Sequence, residues 1–153
     1  MIGPPPAGGH HKLQVLIVPA GTAWHRIVHR RHGTALHVGK EADARWNDPE
    51  GRYGVLYLAD AVETAFAETF GHDTPQRHPP LAEKFVDRLE LGERLLYRVT
   101  CHRALRIALL QGEGLARLNL DVGLLATIDY ALPQRWSRWV YASPEALDGI
   151  RYP

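Results

Sequence analysis

Apolar residues along the chain occur in short runs rather than in long stretches. Runs in which apolar and polar residues alternate, or in which branched residues follow one another, predict β-strands. Such runs lie at residues 13–18, 23–28, 53–59, 95–101, 104–110 and 148–152. His102 and Arg103 separate two of them, so we expect residues 95–101 and 104–110 to pair with each other across this turn.

The clearest helical pattern follows the run at residues 53–59. Asp60 suits the N-cap position, and Glu63 follows it at the spacing of a capping box. The pattern predicts a helix over residues 60–70, ended by Gly71. One stripe of this helix carries Val62, Ala65, Phe66 and Thr69. Shorter helices are predicted over residues 112–119 and 133–141.

The remaining segments are predicted to be irregular. Residues 1–12 contain three consecutive prolines and three glycines, so we expect a flexible leader there. Residues 29–47 are polar without a sustained period, which predicts a long loop, and residues 48–51 have the composition of a type I turn. Strands and helices do not alternate regularly. We therefore expect one α+β domain over residues 13–153, with small mixed sheets and short helices.

The composition excludes several classes of protein. With 153 residues, 45% of them hydrophobic, the chain suits one globular domain with its own core. Its 18 Lys+Arg and 17 Asp+Glu leave a formal net charge of +1, which argues against direct nucleic-acid binding. No apolar run reaches the roughly 20 residues that a membrane-spanning helix needs. The single cysteine, Cys101, cannot form an internal disulfide, so we expect a cytoplasmic protein.

Positive charge is concentrated in one part of this nearly neutral chain. Between residues 25 and 45 the cations Arg26, Arg30, Arg31, Lys40 and Arg45 face only the acids Glu41 and Asp43. Guanidinium groups match phosphate oxygens, so this segment is suited to a phosphate or pyrophosphate; a solvated surface loop is the alternative. His25, His29 and His32 have helix-like spacing, but neither a cysteine nor an HExxH motif accompanies them, so we expect no metal site.

Glu68 is the acid in the predicted helix that capping does not explain. It lies about 60° round the helix from Ala65, beside the apolar stripe. Such an acid is either paired at the edge of the core or directed into a cleft as a catalytic carboxylate. Aromatic residues such as Tyr57 and Trp46 are explained by packing, although one or two of them could stack on a flat ring.

The order of several short motifs resembles the RES domain family. The motifs are Trp-His-Arg-Ile-Val at 24–28, Arg-Trp-Asn-Asp-Pro-Glu-Gly at 45–51, Val-Leu-Tyr-Leu-Ala at 55–59, Glu-Thr-Ala-Phe-Ala-Glu at 63–68 and Asp-Gly-Ile-Arg-Tyr at 148–152. The resemblance covers about residues 23–152. It implies a fold similar to ADP-ribosyltransferases and a toxin of a bacterial toxin–antitoxin pair. Such toxins deplete NAD by hydrolysis or phosphorolysis of its nicotinamide–ribose bond.

The resemblance also assigns roles to individual residues. The family arginine falls on Arg26 and the family glutamate on Glu68, while Arg45 and Tyr57 match the other recurrent polar positions. Glu68, Arg26 and Tyr57 are then the expected catalytic residues. Arg26, Arg45 and Tyr57 are the expected NAD-binding residues. NAD is the substrate, and no cofactor is expected.

One family residue has no counterpart in this sequence. The family serine is expected just after the Gly-Ile-x-Tyr-Pro stretch, where the sequence stops at Pro153. Ser137 and Ser143 lie upstream and do not match that position. We therefore expect the RES-like domain to lack its C-terminal end.

The expected partners also follow from the resemblance. It implies a cognate Xre-like helix-turn-helix antitoxin, with no membrane or direct nucleic-acid binding by this chain, and it leaves open both a homo-oligomer and a hetero-oligomer with the antitoxin. Two other functions stay open. One is an ADP-ribosyltransferase that modifies a macromolecular acceptor. The other is a domain that binds NAD or the antitoxin without turnover.

Overall fold

The computed structural model describes residues 3–40, 43–70, 86–127 and 129–153. These residues form short strands in mixed sheets together with short helices, which confirms the predicted α+β class. They fall into two compact units. The first unit comprises Met1–Gly21, Val38–Val55 and Cys101–Pro153, and the second comprises Thr22–His37 and Leu56–Thr100.

The elements of both units are short. The strands in chain order are β1 (Val15–Val18), β2 (Ala23–His29), β3 (Arg94–Thr100), β4 (Leu105–Leu109) and β5 (Gly149–Arg151). The α-helices are α1 (Val62–Phe70), α2 (Arg88–Gly92), α3 (Glu113–Arg117), α4 (Gly123–Ala126) and α5 (Ala131–Tyr141). Two single-turn 3-10 helices cover His10–Lys12 and Arg30–His32. No helix in the described ranges is long and apolar enough to cross a bilayer.

The first unit contains a three-stranded sheet in the order β1-β4-β5. β4 pairs antiparallel with β1, with Val15 opposite Ala108, and parallel with β5, with Ala108 opposite Ile150. The predicted pairing of residues 95–101 with 104–110 is therefore wrong. Both strands exist, but β3 pairs with β2 in the second unit, because the longer ladder there uses all seven residues of each strand.

The second unit contains the β2-β3 ladder and the helices α1 and α2. α1 packs against β2, and α2 packs against β3. The predicted strand at residues 53–59 is wrong, since this segment makes only two isolated bridges. Gly39 pairs with Val55 in the first unit, and His25 pairs with Ala59 in the second. A branched and aromatic run without a continuous partner strand does not form a ladder.

The helices agree with the sequence patterns at most positions. α1 begins at Val62, two residues later than predicted, and Ala65 is its buried residue; the predicted end at Gly71 lies outside the described residues. α3 and α5 confirm the predictions for residues 112–119 and 133–141. The turn at residues 48–51 is also confirmed, because the Gly51 N–H donates to the Asp48 carbonyl at 2.9 Å.

α5 contributes several buried residues to the first unit. Trp136 and Val140 on this helix are each 2% exposed, and Val140 packs with Leu13 and Ala108 in an apolar cluster. The indole N–H of Trp136 donates to the Gly3 carbonyl at 3.1 Å, and that of Trp139 to the Gly8 carbonyl at 3.2 Å. The leader thus contacts α5, while its predicted flexibility and the domain boundary at residue 13 stay predictions.

Gly114 is expected to be the least replaceable residue of α3. A Cβ atom at this position would lie 2.0 Å from the Leu109 carbonyl oxygen at the end of β4. Replacing Gly114 by Ala is therefore expected to lower the free energy of unfolding by about 2 kcal/mol, as measured by denaturant titration. Gly92 is the control, because a Cβ there meets nothing within 4 Å. Gly92→Ala should stabilise the protein by about 0.5 kcal/mol, and equal effects of the two changes would contradict the packing argument.

Candidate functional site

Arg26 lies in the middle of β2 and is half-buried. Its Nη1 donates to the Ala35 carbonyl, which fixes the guanidinium against the loop that follows β2. The ladder register places Tyr97 of β3 directly opposite Arg26, so the two side chains are cross-strand neighbours on one face. Burial lowers the pKa of Arg26, but a guanidinium remains charged in proteins. The site therefore contains a partly desolvated, oriented cation.

Glu68 lies in the same unit as Arg26, on the helix that follows a β-bridge between Ala59 and His25 of β2. The His25 N–H donates to the Ala59 carbonyl at 2.7 Å, and the Ala59 N–H donates back to His25 at 2.9 Å. This bridge holds the segment that contains Tyr57 beside β2, directly before the start of α1. Glu68 is exposed on α1, one helical turn from the buried Ala65, and α1 packs against β2. Tyr57 is half-buried.

Arg45 lies in the first unit and has partners there. Its Nη1 donates to the Thr127 carbonyl at 2.9 Å, just beyond the end of α4, and lies 3.5 Å from the Leu124 carbonyl. Its guanidinium carbon is 5.0 Å from the centre of the Tyr130 ring. Arginine at a helix C-terminus binds carbonyls that the helix leaves unpaired. Arg45 therefore has a structural role, which sequence reasoning did not predict.

The structure thus brings three of the four sequence-predicted site residues into one compact unit. Arg26 is on β2, Glu68 is on the helix that packs against β2, and Tyr57 precedes the bridge to β2. Arg45 belongs to the other unit. In the described ranges, no group of three or more His, Cys, Asp or Glu side chains is arranged to hold a metal ion.

Sequence reasoning missed the role of Asp48, which lies within the motif at residues 45–51. Its side chain is fully buried, and Arg138 of α5 donates to Oδ1 from Nε at 3.1 Å and from Nη2 at 2.6 Å. The Arg52 N–H donates to Oδ2 at 2.8 Å. Burial by itself would raise the pKa of Asp48, but the hydrogen bonds and charge of Arg138, with the backbone donors, hold it below its ordinary value.

The same motif is held along one face of α5. The Gln134 side chain donates at 3.1 Å to the carbonyl of Ala44, which directly precedes the motif, and the Ser137 hydroxyl donates to the Trp46 carbonyl at 2.7 Å. With Arg138, these residues recur at helical spacing, so they face the motif together. The sequence already places Gln134, Ser137 and Arg138 on one face of the predicted helix at residues 133–141. No feature of residues 45–51 themselves indicates that this face is their partner. The motif at residues 45–51 is therefore anchored by side chains that follow it by about 90 residues.

A model of the RES domain matches residues 23–153, nearly the whole chain. No curated protein and no solved structure matches, so the expected likeness to ADP-ribosyltransferases stays a prediction. The RES domain family is associated with toxin–antitoxin systems and with enzymes that act on NAD. Given the extent of the match and the motifs on β2, α1 and residues 45–51, the chain belongs to the RES domain family.

Proposed function

We propose that this protein is the toxin of a toxin–antitoxin pair and depletes NAD by cleaving its nicotinamide–ribose bond. The observation that carries the proposal is the RES domain match over residues 23–153. It is supported by the second unit, where α1, which carries Glu68, packs against β2, which carries Arg26. An anion-binding guanidinium and a carboxylate in one small unit suit a substrate that contains both a pyrophosphate and a ribose.

Glu68 is proposed as the catalytic carboxylate. When the bond between nicotinamide and ribose breaks, its electron pair leaves with nicotinamide, and positive charge develops on the ribose. A carboxylate beside the ribose stabilises this charge more strongly in the transition state than in the ground state. The oxygen of water or phosphate then bonds to the ribose carbon and loses a proton. Glu68 is exposed on α1, which suits a group that must meet a substrate from solvent.

Arg26 is proposed to hold the pyrophosphate and so to orient the scissile bond. A guanidinium donates two parallel hydrogen bonds to phosphate oxygens, and partial burial strengthens them. The bond from Nη1 to Ala35 fixes the orientation of the guanidinium before substrate arrives. Tyr57 is proposed to stack on nicotinamide or to orient the ribose. Arg45 is proposed to contribute to phosphate binding, although its Nη1 is already bonded to backbone carbonyls.

The proposed partner is a cognate Xre-like helix-turn-helix antitoxin that neutralises the toxin. The family's association with toxin–antitoxin systems supports this proposal. Expression of the toxin alone is expected to inhibit growth of the host cells. Co-expression of a helix-turn-helix protein encoded by an adjacent gene should restore that growth.

Incubation of the purified protein with NAD, with and without phosphate, tests the proposed reaction. We expect free nicotinamide in both cases if water is the acceptor, together with ADP-ribose. We expect nicotinamide only with phosphate, together with a phosphorylated ADP-ribose, if phosphate is the acceptor. Label from NAD retained on a macromolecule would instead identify an ADP-ribosyltransferase. Binding of NAD without any product would contradict the proposed activity.

A further inference from the structure

Arg94, the first residue of β3, contacts two helices of the second unit at once. Its Nη2 donates to Oε1 of Glu90 in α2 at 3.1 Å. Its guanidinium carbon lies over the ring of Phe70, the last residue of α1, at 5.6 Å from the ring centre. None of the motifs that resemble the RES domain contains this arginine, and the proposed catalysis does not use it.

The backbone beside Arg94 is held at the end of β2. Arg94 pairs with His29, the last residue of β2, in the antiparallel ladder. The Arg30 N–H donates to the Glu93 carbonyl at 2.8 Å, and the side chains of these two residues form an ion pair at 3.7 Å. The backbone of Arg94 is therefore fixed relative to the strand that carries Arg26. Its side chain connects this fixed point to α1.

Stability alone does not explain an arginine at this position. The side chain is 23% exposed. Its Nε is buried and donates to no acceptor among the described residues. A buried donor without an acceptor costs free energy, whereas an apolar side chain could fill the same space without that cost. Such local costs are expected where a residue serves function.

The aromatic pair that Arg94 contacts lies on the side of α1 opposite Glu68. Phe66 and Phe70 are one helical turn apart, and their ring centres are 4.6 Å apart. Glu68 lies about 160° round the helix from each of them. The last turn of a helix frays most readily, because its carbonyls have no partner within the helix. A cation over Phe70 stabilises this turn through the ring face and the helix dipole.

We propose that Arg94 is a positioning residue, which holds the last turn of α1 to β3 and α2 and thereby directs the Glu68 carboxylate toward the ribose. The inference rests on the proposed function, because the catalytic role of Glu68 belongs to it. Arg94 acts through Glu68 and does not contact the substrate. A carboxylate that is already oriented needs no rearrangement when charge develops on the ribose, so this contact affects kcat rather than KM.

Arg94→Met tests the proposal, because it keeps an unbranched apolar side chain and removes the charge. We expect kcat for nicotinamide release from NAD to fall about tenfold, while KM changes by less than about twofold. The thermal midpoint should change by less than about 4 °C. Arg94→Lys keeps a cation that can pair with Glu90 and lie over Phe70, so its kcat should stay within about threefold of the unchanged protein.

Arg117→Met is the matched control. Arg117 also pairs with a glutamate four residues before it, Glu113, but it lies in the first unit and is more than half exposed. Its replacement should leave kcat within about twofold of the unchanged protein. Equal losses in Arg117→Met and Arg94→Met would overturn the proposal, as would equal losses in Arg94→Lys and Arg94→Met.

The Glu68→Gln background separates positioning from general damage to the fold. If Arg94 acts through Glu68, adding Arg94→Met to Glu68→Gln should lower the residual kcat by less than about twofold. A further loss of about tenfold in the double variant would mean that Arg94 acts independently of Glu68 and would overturn the proposal.

Amide hydrogen exchange tests the same contact without NAD. In Arg94→Met the amides of residues 67–70 should exchange about tenfold faster, while those of β4 in the first unit should be unchanged. Unchanged exchange at residues 67–70 would overturn the proposal whether or not the protein cleaves NAD. Faster exchange there, in a protein that does not cleave NAD, would instead remove the proposed function and leave Arg94 as the residue that holds the end of α1.

Discussion

Replacing Glu68 by Gln is expected to lower the rate of NAD cleavage by about 100- to 1000-fold, because the neutral amide cannot stabilise the positive charge that develops on the ribose. The loss should appear mainly in kcat, since the interaction strengthens only in the transition state. Glu68 is exposed on α1, so the fold should be retained. Nicotinamide release measures the rate, and the thermal unfolding midpoint measures the fold.

Glu63 supplies the matched control for this prediction. It is an exposed glutamate in the first turn of the same helix, so Glu63→Gln makes the same chemical change on α1. Glu63→Gln should leave NAD cleavage within about twofold of the unchanged protein. Equal losses in the two variants would mean that α1 needs negative charge in general. Unchanged turnover in Glu68→Gln would remove Glu68 from the catalytic role.

Replacing Asp48 by Ala is expected to lower the free energy of unfolding by about 3 kcal/mol, the largest effect on stability in the first unit. The change removes a fully buried carboxylate. It leaves the Arg52 N–H and two donors of Arg138 without this acceptor. The thermal midpoint should fall by roughly 6–12 °C. Denaturant titration gives the free energy directly.

The effect of Asp48→Ala should also depend on pH. The pKa of Asp48 is below its ordinary value in the folded protein, so the carboxylate's contribution to stability is complete above the unfolded pKa of about 3.9. It is lost as pH falls through the lower, folded value. The difference in unfolding free energy between the two proteins should therefore be constant at neutral pH and shrink below about pH 4. A difference that grows on acidification would contradict this assignment.

Glu113→Ala is the control for the buried pair. Glu113 also pairs with an arginine, Arg117, at 2.9 Å, but both side chains are more than half exposed. An exposed pair of this kind contributes little, so the change should cost less than about 0.5 kcal/mol. Similar losses for Glu113→Ala and Asp48→Ala would mean that burial does not decide the importance of the pair.

Local patterns predicted the elements better than they predicted the partners of those elements. The alternation in residues 23–28 and the apolar stripe at residues 62–69 identify β2 and α1. Of that stripe only Ala65 is buried, while Val62 and Phe66 are exposed. The assumption that β3 and β4 pair across His102 and Arg103 failed, since neighbouring strands pair often but not always. The run at residues 53–59 has strand propensity, yet only Val55 and Ala59 found single bridging partners. Propensity cannot supply a neighbouring strand.

The sequence predicted some residues of the candidate site but not the partners that hold the motif at residues 45–51. Arg26 and Glu68 were identified by charge, helical position and resemblance, and α1 does pack against β2. Asp48 was missed because the local Asp-Pro-Glu-Gly turn already explained it. Its main partner, Arg138, lies 90 residues away in sequence and becomes a neighbour only when α5 packs in the first unit. The carbonyl partners of Arg45 are similarly distant.

The central position of β4 has a consequence for the order of folding. β4 cannot complete its ladder with β1 until the whole of the second unit has been synthesised, because residues 22–37 and 56–100 lie between the two strands. Its parallel ladder with β5 must close a further long loop. Such distant pairings cost loop-closure entropy before they gain any contact, which slows folding. The bridge between His25 and Ala59 closes a shorter loop, and α1 is a local element. The elements that carry Arg26 and Glu68 are therefore expected to acquire structure before the three-stranded sheet is complete.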